Sequence, residues 1–169
     1  MKKVVFVTNF LGNGGAARVM SIIANHFSNQ NINVEIISFL ESFKGKERYK
    51  VNNNIKFTYL KCKSNNEIIK KIERILQLRK LVKQSKPDAV IAFEYFVNMQ
   101  TILATLGLKS KIIVSERADP NMAGHANGIR QLRNFLYRFV NVLVCQTPDA
   151  KAYFPKKIQK KTAIIPNPI

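Results

Sequence analysis

The sequence has 169 residues, of which 46% are hydrophobic, and a formal net charge of +18 that comes from 28 Lys and Arg against 10 Asp and Glu. This length and composition suit one buried core, and no low-complexity linker divides the chain, which excludes two complete domains within it. No apolar run approaches the roughly 18 residues that span a bilayer, so any membrane contact is expected to be peripheral.

The predicted elements alternate between strands and helices. A buried strand at 4–7 leads through a glycine-rich loop into a helix that ends near 28–31, and a second buried strand follows at 34–39. After a polar segment at 41–54, expected to be a mobile loop, come an edge-like strand at 55–60 and the longest helix, at 67–84. A buried strand at 89–93, a helix from about 97 and a strand at 111–114 precede a polar loop that reaches 128. A basic amphipathic helix at 129–140, a strand at 141–145, a short helix begun by Pro148 and a strand at 162–165 complete the pattern.

This alternation predicts an α/β fold with a doubly wound, mostly parallel sheet and helices on both faces. Ligands of such sheets bind outside the carboxyl ends of the strands. Polar residues that follow the predicted strands are therefore the candidates for a functional site.

The glycine-rich loop after the first strand is the leading candidate. Residues 12–17 read Gly-Asn-Gly-Gly-Ala-Ala, and the helical spacing of apolar residues starts directly after Gly15. Glycines let a ligand approach the backbone closely, and the free N–H groups of a helix's first turn favour an anion. We expect this loop to cradle a phosphate, although the same residues also suit a tight turn without a ligand.

Two other predicted strand ends carry polar side chains. Glu94 follows the strand at 89–93, and the loop at 115–119 reads Ser-Glu-Arg-Ala-Asp. A carboxylate can orient or deprotonate an attacking hydroxyl, and an arginine can hold an anion in bidentate fashion. Structural roles remain open, because Glu94 could merely cap the next helix and Glu116 could merely pair with Arg117.

A dinucleotide site is a weaker interpretation of the glycine loop. The segment 12–17 formally satisfies the Gly-x-Gly-x-x-Gly/Ala fingerprint. However, four residues separate the strand from the first glycine, and the second strand ends without the acidic residue that would hold a ribose. No nicotinamide cofactor is expected.

The charge and the cysteines indicate the surroundings of the protein. A net charge of +18 predicts attraction to an anionic surface such as a membrane leaflet, a nucleic acid or a phosphorylated substrate. Cys62 and Cys145 have no metal-binding spacing, and we expect reduced cysteines, a cytoplasmic location and no metal.

Four segments together resemble the N-terminal half of a family 4 glycosyltransferase of the GT-B fold. They are Val-Thr-Asn-Phe-Leu-Gly-Asn-Gly-Gly-Ala-Ala-Arg-Val at 7–19, the strand and helix start at 88–98, Val-Ser-Glu-Arg-Ala-Asp-Pro at 114–120, and Ile-Pro-Asn-Pro-Ile at 165–169. The resemblance implies a Rossmann-like domain over 1–165 and the start of a linker at 166–169. The linker would lead to a C-terminal domain that binds the nucleotide-sugar and lies outside this sequence.

The resemblance also implies roles for the strand-end residues. The donor diphosphate would bind at Gly14, Gly15 and Arg18. The acceptor would bind at Glu94, Asn98, Glu116, Arg117, Asp119 and His125, with Glu94 and Glu116 as the candidates for catalysis. No cofactor is implied, since the nucleotide-sugar is a substrate.

Two departures from the family pattern limit how far the residue roles of the family can be assigned to this chain. The family loop commonly reads Gly-Gly-Ala-Glu-Arg, whereas Ala17 stands where the glutamate is expected and Arg18 is kept. The histidine that the family uses on the acceptor side is also not clearly placed. His125 lies in the right part of the chain, but a lone histidine in a polar loop is commonly just solvated.

The sequence therefore predicts the acceptor-binding half of a retaining glycosyltransferase. It would act on a surface-glycan or lipid-linked acceptor at the inner face of the cell membrane, and would be inactive without its second domain. A nucleic-acid-binding module is the first alternative, but its basic residues lack interleaved aromatic residues. A nucleotide-dependent Rossmann enzyme is the second.

Overall fold

In the described part of the chain, seven strands form a single sheet in the order β3-β2-β1-β4-β5-β6-β7, and every neighbouring pair is parallel. The computed structural model describes residues 2–12, 14–41, 44–120 and 127–167, with only the backbone at 127. The strands are β1 Lys3–Thr8, β2 Asn33–Ser38, β3 Lys56–Tyr59, β4 Ala89–Phe93, β5 Lys111–Ser115, β6 Val142–Cys145 and β7 Thr162–Ile164. The helices are α1 Gly15–Asn29, α2 Glu67–Ser85, α3 Tyr95–Thr105, α4 Asn127–Leu136, α5 Pro148–Ala152 and α6 Lys156–Gln159, with a 3-10 turn at Tyr137–Phe139.

The sheet is covered on both faces, as the apolar strand runs predict. Along β1, Val5 and Val7 pack into the core beneath α2, α3 and α4, whereas Val4 and Phe6 pack into the core beneath α1. Successive side chains of a strand point to opposite faces, so a strand buried on both sides must be apolar at nearly every position. The predicted doubly wound α/β fold is confirmed.

The strand order reverses between β1 and β4. From β1 the chain first builds β2 and β3 on one side, then crosses to β4 and continues to β7 on the other. The carboxyl ends of β1 and β4 therefore lie next to each other, with Val7 opposite Ala92. Such a reversal leaves a crevice at the carboxyl edge of the sheet.

The helix predicted at 129–140 is shorter and broken. It starts at 127, passes into the 3-10 turn after Leu136, and ends before Val140, whose backbone is extended. The chain has to straighten there because Asn141 is tied to the start of β5. The backbone N–H of Asn141 donates to the Ile112 carbonyl at 2.8 Å, and the Ile112 N–H donates to Asn141 Oδ1 at 2.7 Å.

Other boundaries differ by a few residues. Helix α3 begins at Tyr95, earlier than predicted, and α6 has no counterpart among the predicted elements. Strand β3 lies at one edge of the sheet, as its alternating pattern predicts. No helix in the described ranges combines the length and the apolar character that a membrane crossing requires.

Candidate active site

The glycine loop lies at the carboxyl end of β1, and α1 begins at Gly15. Gly14 precedes the helix with φ 142°, in the region that favours glycine, and its carbonyl accepts the Arg18 N–H at 3.1 Å. A Cβ built on Gly15 meets no atom within 4 Å, and no positive φ restricts this residue. The space in front of Gly15 is therefore open, and the fold itself does not require glycine there.

The neighbours of these glycines differ in exposure. Arg18 is exposed, so its guanidinium is free to reach a ligand at the helix start. Ala17 is only 6% exposed and packs in the core with Leu11 and Met20. The position where the family commonly has glutamate is thus part of the core here.

Glu94 follows β4 and has an unusual backbone conformation. Its φ and ψ are 78° and 140°, a region that non-glycine residues rarely adopt. It occupies the N-cap position of α3, but its side chain caps no backbone N–H. The capping role that the sequence left open is therefore absent. Partial burial raises the pKa of the Glu94 carboxyl.

Glu116 follows β5 and is nearly buried, at 4% exposure. Its carboxylate accepts a hydrogen bond from the Tyr137 hydroxyl, and its backbone N–H donates to the Val144 carbonyl at 2.9 Å. Asn98, which is fully buried, donates from Nδ2 to the Ser115 carbonyl at 3.0 Å and to the Tyr137 oxygen at 3.1 Å. Burial raises the pKa of Glu116, while the Tyr137 bond and a nearby arginine oppose that rise.

Arg117 points to the C-terminal segment of the chain rather than to Glu116. Its Nη2 donates to Asn167 Oδ1, and its Cζ lies 5.3 Å from the centroid of the Phe93 ring. Burial lowers the pKa of the guanidinium. Pairing between Glu116 and Arg117, the other structural role left open by the sequence, does not occur. Arg117 instead joins the β5 loop to Asn167, 50 residues further on.

A cavity of about 500 Å³ opens beside Glu116 at the carboxyl ends of β5 and β6. Its wall carries three carboxyl groups, from Glu116, Asp119 and Asp149, together with the polar side chains of Gln146 and Thr147. Within the described ranges, no group of three or more His, Cys, Asp or Glu side chains is arranged to hold a metal ion. The wall of the cavity presents hydrogen-bond acceptors.

The structure brings most of the predicted site residues to one edge of the sheet. Glu94 and Glu116 follow the neighbouring strands β4 and β5, paired through Phe93 and Ser115, and the glycine loop adjoins β4. Asn98 lies beneath this edge and is fully buried. His125 lies outside the described residues.

Part of the candidate site was not predicted from the sequence. Gln146, Thr147 and Asp149 line the cavity, although the sequence indicated only a helix start there. Arg133 and Tyr137 belong to a predicted basic amphipathic helix, yet both are fully buried. The signal for Gln146, Thr147 and Asp149 was the polar run directly after β6. In a parallel sheet, the carboxyl end of β6 must lie beside that of β5, so this run borders the same edge.

Comparison with known proteins identifies the family. The profile of Glycosyltransferase Family 4 matches residues 13–169. This chain belongs to Glycosyltransferase Family 4. The resemblance that the four sequence segments carried is thereby confirmed.

The most informative sequence relative comes from Campylobacter jejuni. It is the GalNAc-alpha-(1->4)-GalNAc-alpha-(1->3)-diNAcBac-PP-undecaprenol alpha-1,4-N-acetyl-D-galactosaminyltransferase, which is 32% identical over 173 residues. The match covers 99% of this chain and 46% of the relative. The family 4 chain thus spans about half the length of the curated relative it matches.

Solved structures share the fold at low sequence identity. The lipopolysaccharide outer core galactosyltransferase WaaB superposes with a TM-score of 0.76 at 16% identity, over 100% of this chain and 46% of WaaB. MurG of Acinetobacter baumannii superposes with a TM-score of 0.69 at 19% identity, over 100% of this chain and 46% of MurG. The UDP-GlcNAc 2-epimerase of Methanocaldococcus jannaschii superposes with a TM-score of 0.73 at 16% identity, over 99% of this chain and 46% of the epimerase. Since the epimerase has the same fold as the transferases, the fold alone does not determine the reaction.

Proposed function

We propose that this chain is the acceptor-binding half of a glycosyltransferase that moves a sugar from a nucleotide-sugar to a glycan or lipid-linked acceptor. The observation that carries the proposal is the crevice at the carboxyl edge of the sheet, where an open helix start and a carboxyl-lined cavity flank Glu94 in a family 4 chain. The relative's printed name, which describes transfer to an undecaprenol-linked glycan, supports this class of acceptor.

The start of α1 suits the donor diphosphate. Its first N–H groups have no partner within the helix, and the helix dipole favours negative charge at that end. Gly14 and Gly15 allow the diphosphate to reach these N–H groups, and the exposed Arg18 adds a cation one turn further on. The fold supports this role because the α1 start faces the reversal of strand order.

The carboxyl groups suit the acceptor. Glu94 and the cavity with Glu116 and Asp119 lie on adjacent strand ends, so hydroxyls of one sugar could be held between them. Fixing the attacking hydroxyl near the donor supplies much of the rate acceleration in a transfer reaction. Transfer with retention of anomeric configuration follows the family pattern and is part of the proposal.

A second domain would complete the enzyme. The Arg117–Asn167 bond holds Asn167 against the β5 loop, so a domain that follows this part of the chain would start beside the crevice. The nucleotide and the donor sugar would then be bound mainly by that domain. This arrangement agrees with the chain's coverage of 46% of its relatives.

The 169-residue chain by itself should fold and yet transfer no sugar. The developing charge of the transition state would be stabilised in large part by the second domain. Incubation with nucleotide-activated N-acetylgalactosamine and an undecaprenyl-diphosphate glycan, followed by mass spectrometry, checks this. The two-domain enzyme serves as the positive control, and turnover by the 169-residue chain would contradict the division of roles.

The outer faces of three neighbouring helices suit an anionic membrane surface. Helix α3 contacts both α2 and α4, and all three cover the same face of the sheet. The outward apolar side chains are 39–69% exposed and are Ile68, Ile69, Ile72, Leu76, Phe96, Leu103, Leu132 and Phe135. Lysine and arginine lie among them, with Lys71 Nζ 6.0 Å from the Phe96 ring and Arg138 Cζ 5.9 Å from the Phe135 ring. We call this set the α2–α4 face.

The α2–α4 face has the charge that an anionic leaflet attracts. Neither α3 nor α4 contains an acidic residue, and α2 has six Lys and Arg against two Glu. Near such a leaflet, each basic residue contributes about 1 kcal/mol at physiological ionic strength. Membrane association through this face would bring the crevice close to a lipid-linked acceptor.

Binding to anionic vesicles should fall steeply with added salt, and should be weak on neutral vesicles. The double change Ile68→Ser and Ile72→Ser should reduce binding about tenfold, because two exposed apolar side chains no longer enter the interface. Ile22→Ser is the matched control, since Ile22 is 43% exposed but lies on α1, on the opposite face of the sheet. Flotation with phosphatidylglycerol and phosphatidylcholine vesicles measures both effects. Equal binding to the two lipids, or tighter binding to a single-stranded oligonucleotide, would contradict the membrane assignment.

A further inference from the structure

A small cavity of about 270 Å³ lies at the amino edge of the sheet, opposite the crevice. Its wall is formed by Arg138 of the 3-10 turn, Lys157 and Ile158 of α6, and Lys161, which directly precedes β7. Ile158 is 1% exposed and gives the cavity an apolar side. The other three side chains are cationic. We call this cavity the 138–161 pocket.

Hydrogen bonds hold the Lys161 side chain in place. Its Nζ donates to the Arg138 carbonyl at 2.5 Å and to the Val140 carbonyl at 2.9 Å. An ammonium group has three hydrogens, so one of them remains for a partner in the pocket. Partial burial lowers the pKa of the Lys161 ammonium, because water solvates its charge less completely. A bound anion would replace that lost solvation.

The 138–161 pocket has no acidic partner in the elements that build it. The segments 127–140 and 150–169 contain no Asp or Glu. Within the described ranges, Arg138, Lys157 and Lys161 form no salt bridge. Three like charges around one small cavity repel one another, and an anion bound between them would relieve that repulsion.

A second lysine-lined cavity shows the difference. It lies between the end of α2 and the start of β5, and its wall includes four lysines but also Asp88. The carbonyl end of α2 adds negative potential there. The positive charge of that cavity is therefore partly balanced by the chain itself, unlike the charge of the 138–161 pocket.

An exposed aromatic pair borders the 138–161 pocket. Phe135 and Phe139 are 51% and 47% exposed, and their ring centroids are 5.5 Å apart. The Arg138 Cζ lies 5.9 Å from the Phe135 ring, so the cation and the rings share one surface. Ile158 packs in the core beneath α2, α3 and α4, which places the pocket on the same side of the sheet as the α2–α4 face. Apolar rings beside a cationic pocket suit the boundary between acyl chains and phosphates in a lipid leaflet.

We propose that the 138–161 pocket binds the phosphate group of an anionic phospholipid headgroup. Arg138 and Lys157 would donate charge-assisted hydrogen bonds to the phosphate oxygens, together with the remaining hydrogen of Lys161. The proposal rests on the proposed function only in taking the α2–α4 face as a membrane surface.

The first test is an NMR titration of the 15N-labelled 169-residue chain with glycerophosphoglycerol, the soluble headgroup of phosphatidylglycerol, at constant ionic strength. The amide signals of residues 138 and 157–161 should shift together and saturate with one dissociation constant. The double change Arg138→Met and Lys157→Met should raise that constant about tenfold or more. Both side chains are exposed, so the variant should fold.

The matched control removes two exposed lysines of α2, by Lys80→Met and Lys83→Met, and should leave the dissociation constant unchanged. Shifts that do not saturate in the wild-type chain would overturn the proposal without any variant. The same dissociation constant in the Arg138 and Lys157 variant would also overturn it.

The second test asks whether the phosphate comes from a lipid. Loss of any two surface cations weakens attraction to an anionic leaflet, so the Lys80 and Lys83 variant measures the effect of net charge. In flotation with phosphatidylglycerol vesicles, the Arg138 and Lys157 variant should lose about tenfold more binding than this control. Equal losses would overturn the lipid assignment, even where glycerophosphoglycerol binds, and would indicate a soluble phosphate compound as the ligand.

Failure of this proposal can be told apart from failure of the proposed function. If vesicle binding depends on Ile68 and Ile72 but both double lysine and arginine variants lose it equally, the α2–α4 face stands and the pocket assignment fails. Absence of sugar transfer by the two-domain enzyme would contradict the proposed reaction and leave both binding tests unaffected.

Discussion

Gly15→Val is expected to lower the kcat/KM of the two-domain enzyme by about 100-fold or more, with a melting temperature within a few degrees of wild type. The size of the loss follows from losing a backbone N–H contact to a group that becomes more negative in the transition state. The fold should tolerate the change, since a Cβ at this position meets no atom within 4 Å and the backbone conformation is open to other residues. Steady-state kinetics with varied nucleotide-sugar, together with thermal unfolding, check both statements.

Two further variants sharpen this prediction. Gly15→Ala adds a single methyl group and should lose less activity than valine. Gly14→Val should lose stability as well as activity, because φ at Gly14 is 142°. If Gly15→Val keeps normal kinetics, the loop is merely a tight turn and the diphosphate binds elsewhere.

Glu94→Gly is expected to stabilise the protein while it lowers acceptor use. The backbone of Glu94, with φ 78° and ψ 140°, stores strain of about 1–3 kcal/mol that glycine would relieve. Glycine also increases the entropy of the unfolded chain, which offsets about 0.5–1 kcal/mol of this gain in stability. A net gain of about 1 kcal/mol would raise Tm by roughly 2–4 °C in a domain of this size.

Activity should move in the opposite direction, with the acceptor KM raised or kcat lowered by about tenfold or more, since a carboxylate that orients the hydroxyl is lost. Glu94→Ala is the matched control: it removes the same carboxyl but keeps a Cβ in the strained conformation, so activity should fall without the part of the gain in Tm that comes from relief of strain. Thermal unfolding and acceptor kinetics on both variants separate strain from function. Normal kinetics in Glu94→Gly would remove Glu94 from the site.

The protonation of Glu94 adds a pH dependence to its role. Burial raises the pKa of this carboxyl in the folded protein, so the folded state loses stability as pH rises through that pKa. Replacing Glu94 should therefore stabilise the protein more at neutral pH than at acid pH. Unfolding by denaturant at several pH values can detect the difference.

The fold, and the edge of the sheet that carries the candidate site, follow from the sequence alone. Short continuous apolar runs are typical of strands buried on both faces, and their alternation with helices indicates a parallel sheet. Because the carboxyl ends of parallel strands share one edge, the positions of the glycine loop, Glu94 and Glu116 followed from their places after β1, β4 and β5. The family also followed from short segments that can be read in order along the chain.

Which charged and apolar side chains are buried depends on the three-dimensional packing of the chain. Helical periodicity assigned Arg133 to a polar face, but the rings that enclose it come from α3 and from residues 153–154, which no local pattern connects to α4. The same holds for Arg117, whose partner Asn167 is 50 residues away. Conversely, the apolar side chains of α2 fit the pattern of a buried stripe, yet Ile68 and Leu76 remain 69% and 61% exposed. Burial depends on what the rest of the chain places against a helix, and this is decided by long-range packing that periodicity within the helix cannot specify.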